Sequence, residues 1–225
     1  MARLDSFERT GTHRFIPAKY SKGIILETLS LPPGVLADLN EIDVATNGRR
    51  AAEQGGNTAI SPSELLFGVP YAPIVNAAFC HPGPYGGRFN SPQRGAWYAG
   101  TEMETSLAEV AFHKRRFLKE ARLTDRYTFD YVDFLADFCS EFHYLDTAES
   151  NTCLQPDPVP QCYQASQALA HRLLYAGSNG IIYPSVRRPA GTCIACFRPA
   201  LVFHPRQDRE YRIALQAGSD AISIE

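Results

Sequence analysis

The chain has 225 residues, 44% of them hydrophobic, and this length and composition suit a single domain with a well-buried core. Its formal net charge is −2 and its pI about 6.3, which lacks the basic surplus typical of direct nucleic-acid binding. No apolar run approaches the length of a membrane span, and the N-terminus lacks the apolar core of a signal peptide. These features predict a cytoplasmic protein without membrane contact, although a secreted effector would share them.

In the first 80 residues, the pattern predicts strands at 13–16, 24–29 and 74–79 and a helix at 35–46. Residues 47–60 are polar and glycine-rich, which predicts an exposed loop. Ser61 and Glu64 form a capping-box pattern, with proline at the first helical position. A second helix is therefore expected to begin there.

Residues 88–113 are the stretch around which we expect the chain to be organised. Gly86 and Gly87 precede Arg88, so the backbone there can bend and approach a ligand closely. Residues 96–99 are short, apolar and aromatic, as in a strand. Thr101 followed by Glu104 is a second capping-box pattern, which predicts a helix running to about residue 121.

This central helix has two distinct stripes. Its predicted core face consists of Leu107, Val110, Ala111, Phe117 and Leu118. The neighbouring stripe consists of Glu102, Ser106, Glu109 and His113. An ionisable stripe beside an apolar face can line a cleft, and it can equally be a solvated face with an incidental Glu–His pair.

The C-terminal half mixes strands and helices. Strands are predicted at 127–132, 142–145, 180–183, 192–197, 202–203 and 211–215, a rigid loop at 155–160 and a helix at 166–175 with Gly177 as its stop. Strands and helices do not alternate regularly, so the order favours an α+β fold over a doubly wound parallel sheet.

The six cysteines include one pair with metal-like spacing, Cys193 and Cys196. No second such pair completes a zinc site, and this pair lies in the strand-like run at 192–197. We therefore expect two small core thiols and no bound metal. The other thiols are expected to be reduced, as in the cytoplasm.

Arg88, Tyr98 and Glu109 stand ten and eleven residues apart, and the strand at 180–183 leads into Tyr-Pro-Ser, which selects Ser185. This pattern resembles the RES domain, which is named for its arginine, glutamate and serine. The resemblance covers residues 74–205 and implies one domain over residues 1–225, with the split β-sheet and flanking helices of ADP-ribosyltransferases. The best match to the family's upstream arginine is Arg14, 74 residues before Arg88, so residues 30–70 are a predicted insertion.

The resemblance also implies a function. RES proteins are mostly toxins of toxin–antitoxin pairs, neutralised by an antitoxin with a helix-turn-helix domain, and they often form homodimers. Members degrade NAD by hydrolysis or phosphorolysis, or transfer ADP-ribose to a protein. The implied function is thus NAD cleavage, with two alternatives: a mono-ADP-ribosyltransferase that modifies a host protein, and a catalytically inactive RES-like binding module. GxGxxG is absent, so NAD is expected as the substrate and no cofactor is expected.

Three residues of the motif suit this chemistry. Cleavage of the nicotinamide–ribose bond places positive charge on the sugar, which the carboxylate of Glu109 would stabilise. The arginine fork of Arg88 suits the pyrophosphate. The ring of Tyr98 can stack on nicotinamide while its hydroxyl stays solvated. The structural alternatives are a loop arginine on the surface and a plain core aromatic residue.

The remaining candidates have less certain roles. Ser185 would bond the ribose or the carboxamide, or simply cap its strand. His113, one turn beyond Glu109, either orients that glutamate or only packs on the helix. Arg187 and Arg188 read as a solvated basic turn more readily than as phosphate ligands. Leu107 occupies the position where arginine-modifying transferases carry a second acid, which favours small acceptors.

Overall fold

A computed structural model describes residues 2–21, 32–219 and 221–224. The strands are β1 (Arg3–Pro17), β2 (Trp97–Gly100), β3 (Arg126–Tyr144), β4 (Gly180–Pro184), β5 (Thr192–Cys196), β6 (Phe203–Gln216) and β7 (Ile222–Ile224). The α-helices are α1 (Pro33–Thr46), α2 (Gly48–Glu53), α3 (Ala72–Cys80), α4 (Met103–Glu120), α5 (Thr147–Cys153) and α6 (Gln164–Tyr175). The expected α+β class, a sheet with flanking helices, is confirmed.

The strands pair in two groups. β2, β5 and β4 form a short antiparallel group, while β1, β3, β6 and β7 form a longer antiparallel ribbon. Within the described residues, the groups meet through the pair His13–Gly100 and through two parallel pairs between β3 and β4. Because so few pairs join the groups, the sheet is split, as predicted.

Successive side chains along β2, β4 and β5 point to opposite faces of the short strand group, and each face packs in a different hydrophobic core. On one face, Trp97, Ile182 and Ile194 pack in a cluster that includes Phe79 of α3 and side chains of β3. On the other face, Tyr98 and other side chains pack against α6. The faces of the strands therefore decide which side of the sheet carries the motif residues.

Two sequence predictions between residues 47 and 80 were wrong, whereas the capping box of Ser61 and Glu64 is present. Residues 48–53 form α2, in which Arg49 and Ala52 are buried, so this stretch is not an exposed loop. Residues 74–79 lie in α3 and not in a strand. A short apolar run fits a buried helix as well as a strand, and Pro73 in the first turn favours the helix.

Other predicted elements merge or shift. The strands predicted at 127–132 and 142–145 are parts of β3, a single strand of 19 residues, and those at 202–203 and 211–215 are parts of β6. Long cross-strand pairing sustains both strands through sequence that lacks clear alternation. The strand predicted at 24–29 lies outside the described residues.

The central helix begins and ends close to where it was predicted, but two of its details were wrong. Thr101 does not cap α4: the capping position is Glu102, and the Thr101 hydroxyl donates to Glu102 and to Thr192. Phe117 is 52% exposed and lies outside the core face. At the predicted stop of α6, Gly177 has a φ of +84°, a conformation in which glycine is favoured.

The six cysteines are all free, and Cys193 and Cys196 are buried in β5, as the prediction of core thiols requires. Among the described residues, no helix has the length and apolar character that crossing a membrane requires.

Candidate functional site

The loop that carries Arg88 requires both of its glycines. Gly86 has a φ of +70°, and a Cβ there would lie 2.2 Å from the carbonyl oxygen of Asn90. A Cβ on Gly87 would lie 2.4 Å from Asn90 Oδ1 and 2.8 Å from the hydroxyl of Tyr98. Both distances are far inside van der Waals contact, so a side chain at either position would displace the loop.

Tyr98 fixes the chain that follows Arg88. Its hydroxyl accepts a hydrogen bond from the N–H of Phe89 at 2.8 Å and donates to Asn90 Oδ1 at 2.9 Å. Burial raises the pKa of Tyr98, so the hydroxyl keeps its proton and remains a donor. In this structure the hydroxyl therefore supports the loop of Arg88.

Arg88 is only 8% exposed and is held from two sides. Its Nη1 donates to the carbonyl oxygens of Cys153 and Gln155, both at 2.9 Å. Its guanidinium carbon lies 5.0 Å from the ring centroid of Tyr163, within the range of a cation–π contact. Within the described residues it makes no ion pair, so its charge is balanced only by carbonyl dipoles and an aromatic ring.

Glu109, on α4, meets Ser185, which directly follows β4. The Ser185 hydroxyl donates to Glu109 Oε1 at 2.8 Å and accepts from the backbone N–H groups of Arg187 and Arg188, each at 3.1 Å. The two N–H groups fix the oxygen of the hydroxyl, and its proton is directed to the carboxylate. The buried Cys193 thiol lies 3.9 Å from the same carboxylate oxygen.

The electrostatics of Glu109 are set by opposing effects. Desolvation by burial raises its pKa, while the hydrogen bond from Ser185 and then the charges of Arg187 and Arg88 lower it, with a net shift upward. Among the described residues, Glu109 forms no ion pair with either arginine. A carboxyl group whose ionised form is disfavoured by burial and favoured by nearby arginines is typical of a functional site.

The RES domain family model matches residues 65–216, which is more than half of the chain. The chain belongs to the RES domain family. A chain in the crystal structure of the M.tuberculosis MbcT-MbcA toxin-antitoxin complex also matches, with 12% sequence identity and a TM-score of 0.45 over 95% of this chain and 87% of that chain. No curated protein matches.

The RES motif residues thus converge on one face of the short strand group. Arg88, Tyr98, Glu109 and Ser185 all adjoin the core that packs against α6. Arg14 lies elsewhere: its guanidinium carbon is 4.8 Å from the ring centroid of Trp97, and Trp97 and Tyr98 point to opposite faces of β2. Its Nη1 donates to the backbone carbonyl of Tyr98 at 3.0 Å.

His113 is less closely tied to the RES site. The described residues contain no hydrogen bond between His113 and Glu109, and the partner that orients the glutamate is Ser185. Desolvation, then the charges of Arg187, Arg116 and Arg88, lower the pKa of His113 to about 4. A neutral imidazole is therefore expected at pH 7.

Sequence reasoning missed two residues of the RES site. Tyr163, beneath Arg88, has no motif that would have singled it out. Arg187 was read as part of a solvated turn, but its side chain is only 10% exposed. Its position two residues after Ser185 was the available signal. Among the described residues, no group of three or more His, Cys, Asp or Glu side chains is arranged to hold a metal ion.

Proposed function

We propose that this RES domain is a toxin enzyme that cleaves the nicotinamide–ribose bond of NAD, with water or phosphate as the acceptor. The observation that carries the proposal is the setting of Glu109. One carboxylate oxygen is fixed by Ser185, and the other makes no hydrogen bond to a described residue. Two arginines are near enough to influence the pKa of this carboxyl group without neutralising it.

This setting suits the cleavage of an N-glycosidic bond. The bond between ribose C1 and the pyridinium nitrogen breaks, its electron pair moves to nitrogen, and nicotinamide leaves as a neutral molecule. The positive charge is then shared between C1 and the ring oxygen of the ribose, where the carboxylate of Glu109 stabilises it. Water or phosphate then adds to C1, and the proton that water loses passes to the solvent. No strong acid is needed for this leaving group.

The residue two positions before Glu109 supports a small acceptor. Leu107 is only 7% exposed and packs in the cluster of Phe15 and Ala111. A leucine in this position has no group that could orient an incoming guanidinium, as a second acid would. We therefore propose hydrolysis or phosphorolysis, and transfer of ADP-ribose to a host protein is the competing outcome of the test.

The biological role that we propose follows from family membership. A chain that depletes NAD in the cytoplasm of its own host requires an inhibitor, and a helix-turn-helix antitoxin protein is the proposed partner. A homodimer is the proposed assembly. The likeness to one chain of a toxin–antitoxin complex is too distant to add weight to either proposal.

The test is incubation of the purified chain with labelled NAD, with and without phosphate, in buffer and in cell extract. We expect free nicotinamide together with ADP-ribose or its 1-phosphate. Label that accumulates chiefly on one protein band would favour the transferase. The absence of any nicotinamide release would favour an inactive binding module.

A cellular experiment complements the test in vitro. Expression of the wild-type chain without a partner should arrest bacterial growth and lower cellular NAD, whereas Glu109→Gln should be tolerated. Equal toxicity of the two chains at equal expression would show that growth arrest does not arise from NAD cleavage.

A further inference from the structure

Arg187 is a nearly buried cation beside Glu109. Its guanidinium carbon lies 3.3 Å from the ring centroid of Phe112, which is on α4 one turn beyond the glutamate. Its Nη2 donates to the carbonyl oxygen of Pro156 at 2.6 Å. Stacking on one face and a hydrogen bond at the edge fix the plane of the guanidinium group, so it loses little further freedom when it binds a ligand.

Arg187 and Arg88 are held by the same loop, which we define as residues 153–156 and which begins at the last residue of α5. Arg88 donates to the carbonyl oxygens of Cys153 and Gln155, and Arg187 donates to that of Pro156. The loop therefore gathers two guanidinium groups from distant parts of the sequence. Each is held through one terminal nitrogen, and each has further N–H groups that do not bond these carbonyls.

The charges of this cluster do not balance. The acid closest to Arg187 is Asp157, at 3.6 Å, and its side chain is 61% exposed, so water screens the pair. Arg88 makes no ion pair within the described residues. The two cations and Glu109 therefore leave about one unneutralised positive charge in a mostly desolvated site, which favours an anionic ligand.

We propose that Arg187 is a second substrate-binding arginine that holds, together with Arg88, the diphosphate of the dinucleotide. The inference rests on the proposed function for the identity of the ligand. A diphosphate carries charge on two phosphoryl groups, and two planar arginine forks can bind both groups at once. Arg187 then contributes to the recognition of a dinucleotide, as distinct from nicotinamide riboside, which carries no phosphate.

The experiment compares Arg187→Gln with the matched control Arg188→Gln, since both remove one charge from the same turn. The Arg188 side chain donates to Thr105 and pairs with Glu102 at 3.6 Å, and it is 35% exposed. For Arg187→Gln we expect the KM for NAD to rise about 10- to 100-fold, because the variant loses a charge-assisted hydrogen bond to the diphosphate. The kcat and the cleavage of nicotinamide riboside should change little, and Arg188→Gln should resemble wild type throughout.

Three results would overturn the inference. The first is that Arg187→Gln behaves like Arg188→Gln with NAD. The second is an equal loss with NAD and with nicotinamide riboside, which would show that Arg187 only positions the loop or Glu109. The third is an effect on kcat alone.

Calorimetric titration with ADP separates this inference from the proposed function. A wild-type chain that releases no nicotinamide would contradict the proposed function, but the diphosphate of ADP would still test Arg187. Wild type and Arg188→Gln should then bind ADP more tightly than Arg187→Gln, and equal affinities would refute the inference. If Arg187→Gln does not fold, Arg187→Lys retains the charge without the fork and should give a smaller loss in the same direction.

Discussion

Two glutamates of this RES domain each have two arginines nearby, but they bind them differently. Glu64 accepts hydrogen bonds from Nη1 and Nη2 of Arg94 at 2.9 and 2.8 Å and from Arg198 at 3.1 Å. The hydrogen bond from Arg94 is the main cause that lowers the pKa of Glu64 to about 2. Among the described residues, no arginine donates a hydrogen bond to Glu109, and burial raises the pKa of this carboxyl group.

The difference indicates which carboxylate is structural and which is available for chemistry. In the first cluster both arginines pair directly with the carboxylate, and these pairs fasten the turn Pro62–Glu64 to residues that precede β2 and follow β5. At the second glutamate, backbone carbonyls bind the arginines, and one carboxylate oxygen receives no hydrogen bond from the described residues. Each glutamate has two arginines nearby, so the direction of the pKa shift depends on whether the arginines bond the carboxylate and not on their number.

The largest expected effect separates the two glutamates directly. Glu109→Gln retains the size of the side chain but removes the charge that would stabilise the ribosyl cation. We expect NAD cleavage to fall by about 10²–10³-fold. The variant should unfold at or slightly above the wild-type temperature, because burial disfavours the ionised form of Glu109.

Nicotinamide release and thermal unfolding, measured on the same preparations, check this prediction. Near-wild-type cleavage by a folded Glu109→Gln chain would contradict the proposed mechanism. Glu64→Gln is the control, and it should retain activity per folded molecule.

The next largest effect concerns binding. Arg88→Ala should raise the KM for NAD about 10- to 100-fold with a smaller change in kcat, because the pyrophosphate is charged in both the ground state and the transition state. Steady-state kinetics across a wide range of NAD concentrations measure both constants. A strong fall in kcat at unchanged KM would assign Arg88 a different role.

The region around Arg88 and α4 was predictable because its signals are local. The glycines before Arg88, the aromatic strand and the amphipathic helix each span only a few residues. The partners of these residues were not predictable. Ser185 was selected by its motif, but its bond to Glu109 joins positions 76 residues apart. The stacking of Arg187 on Phe112 depends in the same way on tertiary packing.

In the segment from 47 to 80, by contrast, the secondary structure itself could not be predicted from local sequence. Its periodicity is weak, and packing decides the secondary structure: Asn47 accepts from the N–H groups of Arg49 and Arg50 and so caps α2. In α3, the buried Val75 and Phe79 are four residues apart, a helical spacing that also occurs in a short apolar strand. Local propensity therefore cannot distinguish a buried helix from a short apolar strand at residues 74–79.

A smaller effect is expected from Ser185→Ala, which leaves Glu109 in place but removes its hydrogen bond. Because this bond lowers the pKa of Glu109, its loss should raise that pKa further. The acidic limb of the pH–rate profile should move to higher pH, and the rate at neutral pH should fall roughly 10-fold. A uniform loss of activity at every pH would instead indicate a purely structural role for the serine.

The smallest effect belongs to Glu64→Gln, and it concerns stability. The folded-state pKa of about 2 lies below the ordinary value of 4.5, so ionised Glu64 stabilises the fold. This contribution is complete above pH 4.5 and is lost as the pH falls towards 2. We expect Glu64→Gln to lower the free energy of unfolding at pH 7 by about 1–2 kcal/mol, because the nearly buried Arg94 loses its anionic partner. Denaturant titrations of wild type and variant from pH 7 to pH 3 measure this difference, which should stay constant down to about pH 4.5 and shrink as the pH falls further. A difference that stays constant over this range would show that Glu64 stabilises the turn by packing and not by its charge.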